Sequence, residues 1–246
     1  MQPTLAVVCA AILVMSGCAG QQQKSARSAA TAATTTTTAT ALDGCVQPGE
    51  GMLIPWSSSG QAVVLGGGTV GVVLSNQSDQ NLCGWLPFGK TLAARGLQVL
   101  LYDYGATADP EKDVALAAAK LRTLGARMVF LIGASEGAKA SLIAAPAIRP
   151  PVAGVVSLSA ERVERGTDVL PYAARLRSPV LFVTAKDDSF STEPTPQLYK
   201  AATKAAWRKL AVLPGFAHGT ELLTGSTGPQ VQAMILDFLR RYGHAG

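Results

Sequence analysis

One serine in this sequence stands in a setting that could make it a nucleophile. Gly133-Ala134-Ser135-Glu136-Gly137 has the pattern G-x-S-x-G and lies between the apolar run ARMVFLIG and the Ala-rich run AKASLIAA. A serine in a sharp strand-to-helix turn presents its hydroxyl, and glycines flank it because side chains there would collide with neighbouring elements. The bare pattern is common by chance. Its position between a predicted strand and a predicted helix makes Ser135 the candidate catalytic serine.

A serine hydroxyl needs a base, and histidine is the usual base near neutral pH. The chain contains His218 and His244. His244 is close to the C-terminus, where order is often poor. His218 lies in LAVLPGFAHGTELL, between the last apolar run and the last predicted helix, where a parallel sheet presents ligand-facing loops. We therefore expect His218 to be the base.

A carboxylate that orients the imidazole would complete such a site. The apolar run PVLFVTA is followed by Lys186-Asp187-Asp188, again at the carboxyl end of a predicted strand. The order serine, aspartate, histidine along the chain is one that hydrolytic triads use. From position alone, either aspartate is a candidate.

With these motifs in place, residues 61–246 resemble the α/β-hydrolase superfamily, particularly its small esterases and dienelactone-hydrolase-like members. Gly215-Phe216-Ala217-His218-Gly219 matches the G-x-x-H-G that often precedes the last helix in this family. The family's H-G-x-x-D segment, laid on residues 184–188, places the triad aspartate at Asp188. Asp187 would then be a surface carboxylate that pairs with Lys186.

The resemblance implies a Ser-His-Asp triad of Ser135, His218 and Asp188 that hydrolyses an ester or similar acyl bond through an acyl-enzyme. No cofactor is expected, and no metal, because the sequence contains no CxxC or HxxxH spacing. One oxyanion donor is expected to be the backbone N–H of Glu136, directly after the nucleophile. The second donor follows an early strand, where this chain has Leu74-Ser75-Asn76-Gln77 in place of the family's H-G-x. Alignment favours the backbone N–H of Gln77, with Asn76 as the alternative.

The Glu136 side chain has two interpretations. It could face a leaving group or a cationic substrate, or it could make only local hydrogen bonds.

Strand-like and helix-like segments alternate along the chain, which predicts an α/β fold with a doubly wound, mostly parallel sheet and helices on both faces. Gly66-Gly67-Gly68 is a turn between the first two strands, and Asp109-Pro110 caps a helix that ends before Gly125. Predicted strands cover residues 60–65, 70–74, 97–104, 126–133, 153–159, 179–185 and 208–214. Predicted helices cover residues 85–95, 110–124, 136–145, 170–176, 196–206 and 229–242.

Only about twenty residues, 159–178, lie where many family members carry a cap domain. We therefore expect an uncapped, open site that leaves short esters, thioesters, peptides and envelope glycolipids as substrates. A catalytically inactive scaffold that acts as an envelope binding protein is the alternative. The missing H-G-x slightly favours it, and the intact Ser135, Asp188 and His218 count against it. A dinucleotide-binding interpretation of residues 66–71 is disfavoured, because a strand follows them where a helix should begin.

Residues 1–17 are predicted to be a signal peptide. Their apolar stretch LAVVCAAILVM is shorter than the roughly twenty residues of a membrane-spanning helix. Met15-Ser16-Gly17-Cys18 resembles a bacterial lipobox, in which Cys18 would carry the lipid. Met15 replaces the usual Leu, and the preceding MQPT lacks a cation. A plain secreted protein or an uncleaved anchor are the alternatives. Residues 18–43 are predicted to be a low-complexity tether and residues 44–246 the α/β-hydrolase domain.

The remaining composition bears on compartment and partners. Cys9 lies within the signal and Cys18 at the lipobox, so Cys45 and Cys83 are left as a natural disulfide pair, with two independent buried thiols as the alternative. The formal charge is +5, but Lys and Arg are scattered along the sequence. The sequence therefore lacks the basic cluster that is typical of nucleic-acid-binding proteins. The sequence therefore predicts a protein of the bacterial cell envelope, outside the cytoplasm, bound to a membrane through its N-terminal lipid and acting on a small acyl substrate.

Overall fold

Strands and helices alternate along the part of the chain that the structure, a computed structural model, describes: residues 42, 44–56, 62–104 and 109–243. The strands are β1 (Met52–Ile54), β2 (Ala62–Gly66), β3 (Val70–Ser75), β4 (Gln98–Tyr102), β5 (Met128–Ala134), β6 (Gly154–Leu158), β7 (Val163–Glu164), β8 (Thr167–Asp168), β9 (Val180–Ala185) and β10 (Arg208–Leu213). The helices are α1 (Leu86–Ala93), α2 (Pro110–Thr123), α3 (Glu136–Ala144), α4 (Leu170–Ala173), α5 (Pro194–Ala201) and α6 (Gly228–Tyr242). Short 3-10 helices occur at Leu82–Gly84 and Gly219–Leu223.

Eight strands form the central sheet, in the order β1-β2-β4-β3-β5-β6-β9-β10. The pairs β1–β2 and β2–β4 are antiparallel, and all other neighbouring pairs in this sheet are parallel. The chain adds strands on one side of β3 and then on the other. Ligands bind at the carboxyl ends of the strands near such a reversal. The predicted mostly parallel sheet is confirmed.

Apolar cores lie on both faces of this sheet. Adjacent residues along one strand point to opposite faces, so Leu131 belongs to one core and Ile132 to the other. The first core also contains buried residues of α2, α3, α4 and α5, and the second contains those of α1 and α6. Burial on both faces explains the nearly continuous apolar runs of the strands. The predicted helix layers on both faces are thus confirmed.

Two features of the sheet differ from the sequence analysis. The turn at residues 66–68 does join β2 to β3, but β4 is inserted between those strands. Strand β1 was missed because it has only three residues and lies at the sheet edge.

Helix α5 is shifted relative to the predicted range of 196–206. It begins at Pro194, which suits the first turn because it needs no N–H donor there. It ends at Ala201, where the Arg208 guanidinium donates to the Tyr199 and Lys200 carbonyls, both at 2.9 Å.

Residues between β6 and β9 form the two-stranded hairpin β7–β8 and the single-turn helix α4. No cap domain is present in this stretch, all of which the structure describes. The expected uncapped architecture is confirmed. In the described segments, no helix is long and apolar enough to cross a bilayer.

Cys45 and Cys83 form a disulfide with a Cα–Cα distance of 5.9 Å, as the cysteine count predicted. The bond ties the start of the described chain to the 3-10 helix Leu82–Gly84. The predicted signal peptide, Cys18 and His244 lie outside the described residues, as does nearly all of the predicted tether.

Candidate active site

Ser135 occupies a strained turn between β5 and α3. Its backbone angles are φ 47° and ψ −109°, in a region that L-residues seldom adopt. A Cβ on Gly133 would lie 2.2 Å from the Gly137 carbonyl oxygen, and a Cβ on Gly137 would lie 2.2 Å from the Ser75 carbonyl oxygen. Both glycines of the motif are therefore required by close backbone approach. The predicted strand–turn–helix setting of Ser135 is present.

His218 follows β10 and immediately precedes the 3-10 helix Gly219–Leu223. Its backbone N–H donates to the Glu221 carboxylate at 3.1 Å. The next N–H, that of Gly219, donates to the Ser159 hydroxyl at 3.0 Å. Gly219 has φ 57°, and a Cβ there would lie 2.1 Å from Gln77 Oε1. These contacts fix the loop and account for the glycine after the histidine.

The structure selects Asp188 over Asp187 as the partner of His218. His218 Nδ1 lies 2.8 Å from Asp188 Oδ2. The same carboxylate oxygen accepts from the Ser191 hydroxyl, and Oδ1 accepts from the Phe190 backbone N–H at 3.1 Å. Asp187 is exposed.

The environment of Asp188 keeps it ionised. Burial alone would raise the pKa of Asp188, but hydrogen bonds from Ser191, His218 and the Phe190 N–H outweigh it and leave the pKa below its ordinary value. An ionised carboxylate only accepts hydrogen bonds, so the imidazole carries its proton on Nδ1. In the neutral imidazole with its proton on Nδ1, the Nε2 atom has a free lone pair, as a base requires.

Ser135 and His218 line one cavity of about 230 Å³, together with Ser78, Asp79, Glu161 and Phe190. Phe190 is 64% exposed, and the centroid of its ring lies 5.5 Å from that of the imidazole. A larger cavity of about 400 Å³ opens elsewhere, lined by residues such as Arg95 and Arg240, and contains none of the candidate residues. Of the three candidate triad residues, Ser135 and His218 line the smaller cavity.

The loop that follows β3 is held from several sides. The Asn76 backbone carbonyl accepts from the Gly137 N–H at 2.9 Å. The side-chain amide of Asn76 donates to the Tyr102 carbonyl at 2.7 Å. Gln77 Oε1 accepts from the Thr220 N–H at 2.9 Å. This loop therefore contacts both α3 and the segment after His218. The oxyanion roles of the Glu136 and Gln77 amides remain predictions.

The Glu136 carboxylate faces Arg165, whose Nη2 lies 3.2 Å away, at the tip of the β7–β8 hairpin. Lys139, one turn further along α3, contacts Glu164 at 3.1 Å and Glu161 at 3.3 Å. Burial raises the pKa of Glu164, although Lys139 opposes this shift. The Glu136 side chain thus pairs with a residue 29 positions away, a contact that neither of the two sequence interpretations named.

This hairpin and the acidic lining of the cavity were not predicted from the sequence. Strands of two residues are too short to produce an alternating pattern. The Arg165-Gly166 pair, both with positive φ, was the available turn signal. Asp79 and Glu161 carry no local motif, and only folding brings them to Ser135. Among the described residues, no group of three His, Cys, Asp or Glu side chains could hold a metal ion.

The sheet, its helix layers and the turn at Ser135 define the α/β-hydrolase fold. Similar solved structures include an esterase from Pyrococcus furiosus, with a TM-score of 0.63 and 13% identity over 79% of this chain and 90% of that chain. A dienelactone hydrolase from Anabaena variabilis has a TM-score of 0.60 and 17% identity over 78% and 96%. An enol-lactonase from Burkholderia xenovorans has a TM-score of 0.61 and 15% identity over 74% and 96%. No family model and no curated protein matches this sequence.

Proposed function

We propose that this protein is a serine hydrolase that cleaves an ester or a similar acyl bond through an acyl-enzyme. The observation that carries the proposal is the hydrogen bond between Asp188 and His218 at the cavity that Ser135 also lines. The strained backbone of Ser135 supports it, because strain of this kind concentrates at functional sites. The fold shared with esterases and a dienelactone hydrolase agrees with it.

In the acylation step, His218 Nε2 takes the hydroxyl proton of Ser135 while Oγ attacks the acyl carbon. The carbonyl electron pair moves onto its oxygen, and the backbone N–H groups of Glu136 and Gln77 stabilise the charge. The intermediate then collapses, the bond to the leaving alcohol breaks, and that alcohol receives the proton from His218. Asp188 stays ionised throughout and stabilises the imidazolium.

In the deacylation step, His218 takes a proton from water, whose oxygen attacks the acyl carbon of the acyl-enzyme. The second tetrahedral intermediate releases Ser135 Oγ, which regains the proton, and the carboxylic acid leaves. No electron acceptor or metal enters this balance.

The substrate is expected to be a short acyl compound. The residues between β6 and β9 build only a hairpin and one helical turn, so no cap domain covers the cavity. With a volume of about 230 Å³, the cavity suits a small group better than a long acyl chain.

The decisive experiment compares purified wild type with Ser135→Ala and with Ser141→Ala, the latter a buried serine of α3 outside the cavity. We expect hydrolysis of p-nitrophenyl acetate and butyrate to fall at least about a thousandfold in Ser135→Ala and to persist in Ser141→Ala. A fluorophosphonate probe should label wild type and Ser141→Ala but not Ser135→Ala. Equal turnover by Ser135→Ala, or an unlabelled wild type, refutes the proposal, and the second result favours an inactive binding scaffold.

We also propose that Cys18 carries a lipid that holds the protein at a membrane of the bacterial cell envelope. The short apolar stretch before the lipobox-like Met15–Cys18 supports this, and the Cys45–Cys83 disulfide fits an oxidising compartment. Metabolic labelling with an alkyne-tagged palmitate in a bacterial host should modify wild type and Cys9→Ser but not Cys18→Ser. Labelling of Cys18→Ser at the wild-type level contradicts the anchor.

A further inference from the structure

A buried hydroxyl chain ends on the carboxylate that orients His218. Ser191, between β9 and α5, is fully buried, and its hydroxyl contacts Asp188 Oδ2. On its other side, Ser191 Oγ lies 2.7 Å from Oγ1 of Thr184, which is also fully buried. Thr184 belongs to β9, and Asp188 lies in the loop that follows that strand. The hydrogen-bonded hydroxyls of Thr184 and Ser191 therefore connect the sheet, through Asp188, to the candidate catalytic imidazole.

The direction of each hydrogen bond follows from the charge at one end. The Asp188 carboxylate is ionised and only accepts, so the single hydroxyl proton of Ser191 points to Oδ2. Ser191 Oγ then accepts from the Thr184 hydroxyl, whose oxygen also lies 3.3 Å from the Ala185 carbonyl oxygen. His218 Nδ1 donates to the same Oδ2 atom at 2.8 Å. Asp188 Oδ2 thus accepts hydrogen bonds from two donors, the Ser191 hydroxyl and the His218 imidazole.

This arrangement fixes the rotation of the carboxylate. The Phe190 N–H holds Oδ1 at 3.1 Å, while Ser191 and His218 share Oδ2. If the carboxylate rotated about its Cβ–Cγ bond, the Ser191 hydroxyl would exchange its bond to a charged carboxylate oxygen for a weaker one to the neutral Thr184 hydroxyl. The orientation that serves His218 is therefore also the one that satisfies Ser191.

We propose that Ser191 is a positioning residue that holds Asp188 Oδ2 towards His218 and withdraws part of its charge from the ring. This inference rests on the proposed hydrolase function. Loss of the hydroxyl has two effects: the carboxylate gains rotational freedom, and Oδ2 directs more of its charge to the imidazole. A more strongly stabilised imidazolium remains protonated to higher pH, so the acid limb of the kcat/KM profile moves upward.

The test compares Ser191→Ala with Ser191→Thr, which retains a hydroxyl, and with Thr195→Val. Thr195 is a matched control because its buried hydroxyl donates to the Ala160 carbonyl at 2.8 Å and not to Asp188. We expect Ser191→Ala to lower kcat about tenfold, with little change in KM, and to move the acid limb to higher pH. Ser191→Thr should restore most of kcat and the wild-type limb. Fluorophosphonate titration counts active sites, so misfolded protein does not enter the comparison.

A second readout is independent of turnover. In the Ser135→Ala background, the low-field proton resonance of His218 Nδ1 should shift in Ser191→Ala and stay in place in Thr195→Val. If Ser191→Ala does not fold, Thr184→Val, which removes only the outer hydroxyl, should produce a smaller shift of the same sign.

The proposal is overturned if Ser191→Ala, or Thr184→Val in its place, matches Thr195→Val in the pH profile and in the resonance. If Ser135→Ala turns over substrate as fast as wild type, the proposed serine hydrolase function is overturned instead. The positioning role of Ser191 is then tested by the His218 Nδ1 resonance alone.

Discussion

His218 and Asp188 are 30 positions apart in the sequence, yet His218 Nδ1 lies 2.8 Å from Asp188 Oδ2. They meet because β9 and β10 are parallel neighbours in the sheet, so the loops that follow these strands leave from the same edge. The register pairs Ala185 with Leu213, the last residues of the two strands. The pairing of the two strands therefore places the carboxylate against the ring.

This contact predicts different behaviour for two adjacent aspartates. Asp188→Asn should reduce kcat for p-nitrophenyl butyrate by about three to four powers of ten, because the amide favours the wrong imidazole tautomer. Asp187→Asn should stay within a factor of about three, since Asp187 is exposed and its N–H bonds to the Gly215 carbonyl through the backbone. Steady-state kinetics of both variants decide the matter. A larger loss in Asp187→Asn contradicts the assignment of Asp188.

The turn at Ser135 predicts a severe cost for one added methyl group. In Gly137→Ala the new Cβ would lie 2.2 Å from the Ser75 carbonyl oxygen and 2.7 Å from that of Asn76, and backbone cannot move aside as a side chain can. We expect the free energy of unfolding in urea to fall by about 3 kcal/mol or more. Gly67→Ala is the control, because nothing lies within 4 Å of its added Cβ. Equal stability of the two variants would mean that the turn is looser than described.

A pH-dependent effect is expected at Asp113 in the first turn of α2. Burial and the charge of Asp109 raise the pKa of Asp113, and its Oδ2 is buried with no hydrogen-bond partner among the described residues. A raised pKa in the folded state means that the ionised form is disfavoured there. The destabilisation of the fold by ionised Asp113 is absent at a pH below the ordinary aspartate pKa of about 3.9, and it is complete at a pH above the raised pKa of the folded state.

Asp113→Asn removes this cost, and Glu111→Gln in the same helical turn controls for the lost interaction with the helix dipole. By urea unfolding at pH 7, we expect Asp113→Asn to exceed Glu111→Gln in stability by about 0.5 kcal/mol after allowance for solvent screening. The difference should vanish at about pH 3, below the ordinary value. A difference that persists there would assign the effect to packing.

Removal of the Cys45–Cys83 disulfide should destabilise the fold without altering the chemistry. The bond links residues 38 positions apart, and loop closure of this length contributes about 4 kcal/mol on the chain-entropy model. The double variant Cys45→Ser/Cys83→Ser should lose about that much free energy of unfolding and keep the proposed esterase activity at low temperature. Wild type under reducing conditions should behave in the same way. A loss below about 1 kcal/mol in both samples would be inconsistent with this role.

Much of the fold was readable from the sequence because the signals are local. The apolar run of β5, the glycines around Ser135 and the Ala-rich start of α3 are consecutive, so one segment reveals the strand, the turn and the helix. Asp109 as N-cap and Pro110 as the first residue of α2 are likewise local; the Asp109 side chain accepts from the Lys112 N–H at 3.4 Å. The approximate place of His218 followed from the alternation of strands and helices.

Contacts between distant segments were decided only by the tertiary structure. Nothing near residues 66–68 shows that β4 is inserted between β2 and β3, because strand pairing depends on burial along the whole sheet. The same holds for the contact of Arg165 with Glu136 and for the position of Ser191 behind Asp188. Sequence patterns report the conformation that a segment favours by itself. Which side chains share a buried oxygen atom depends on how separate segments pack, and that is settled when the sheet assembles.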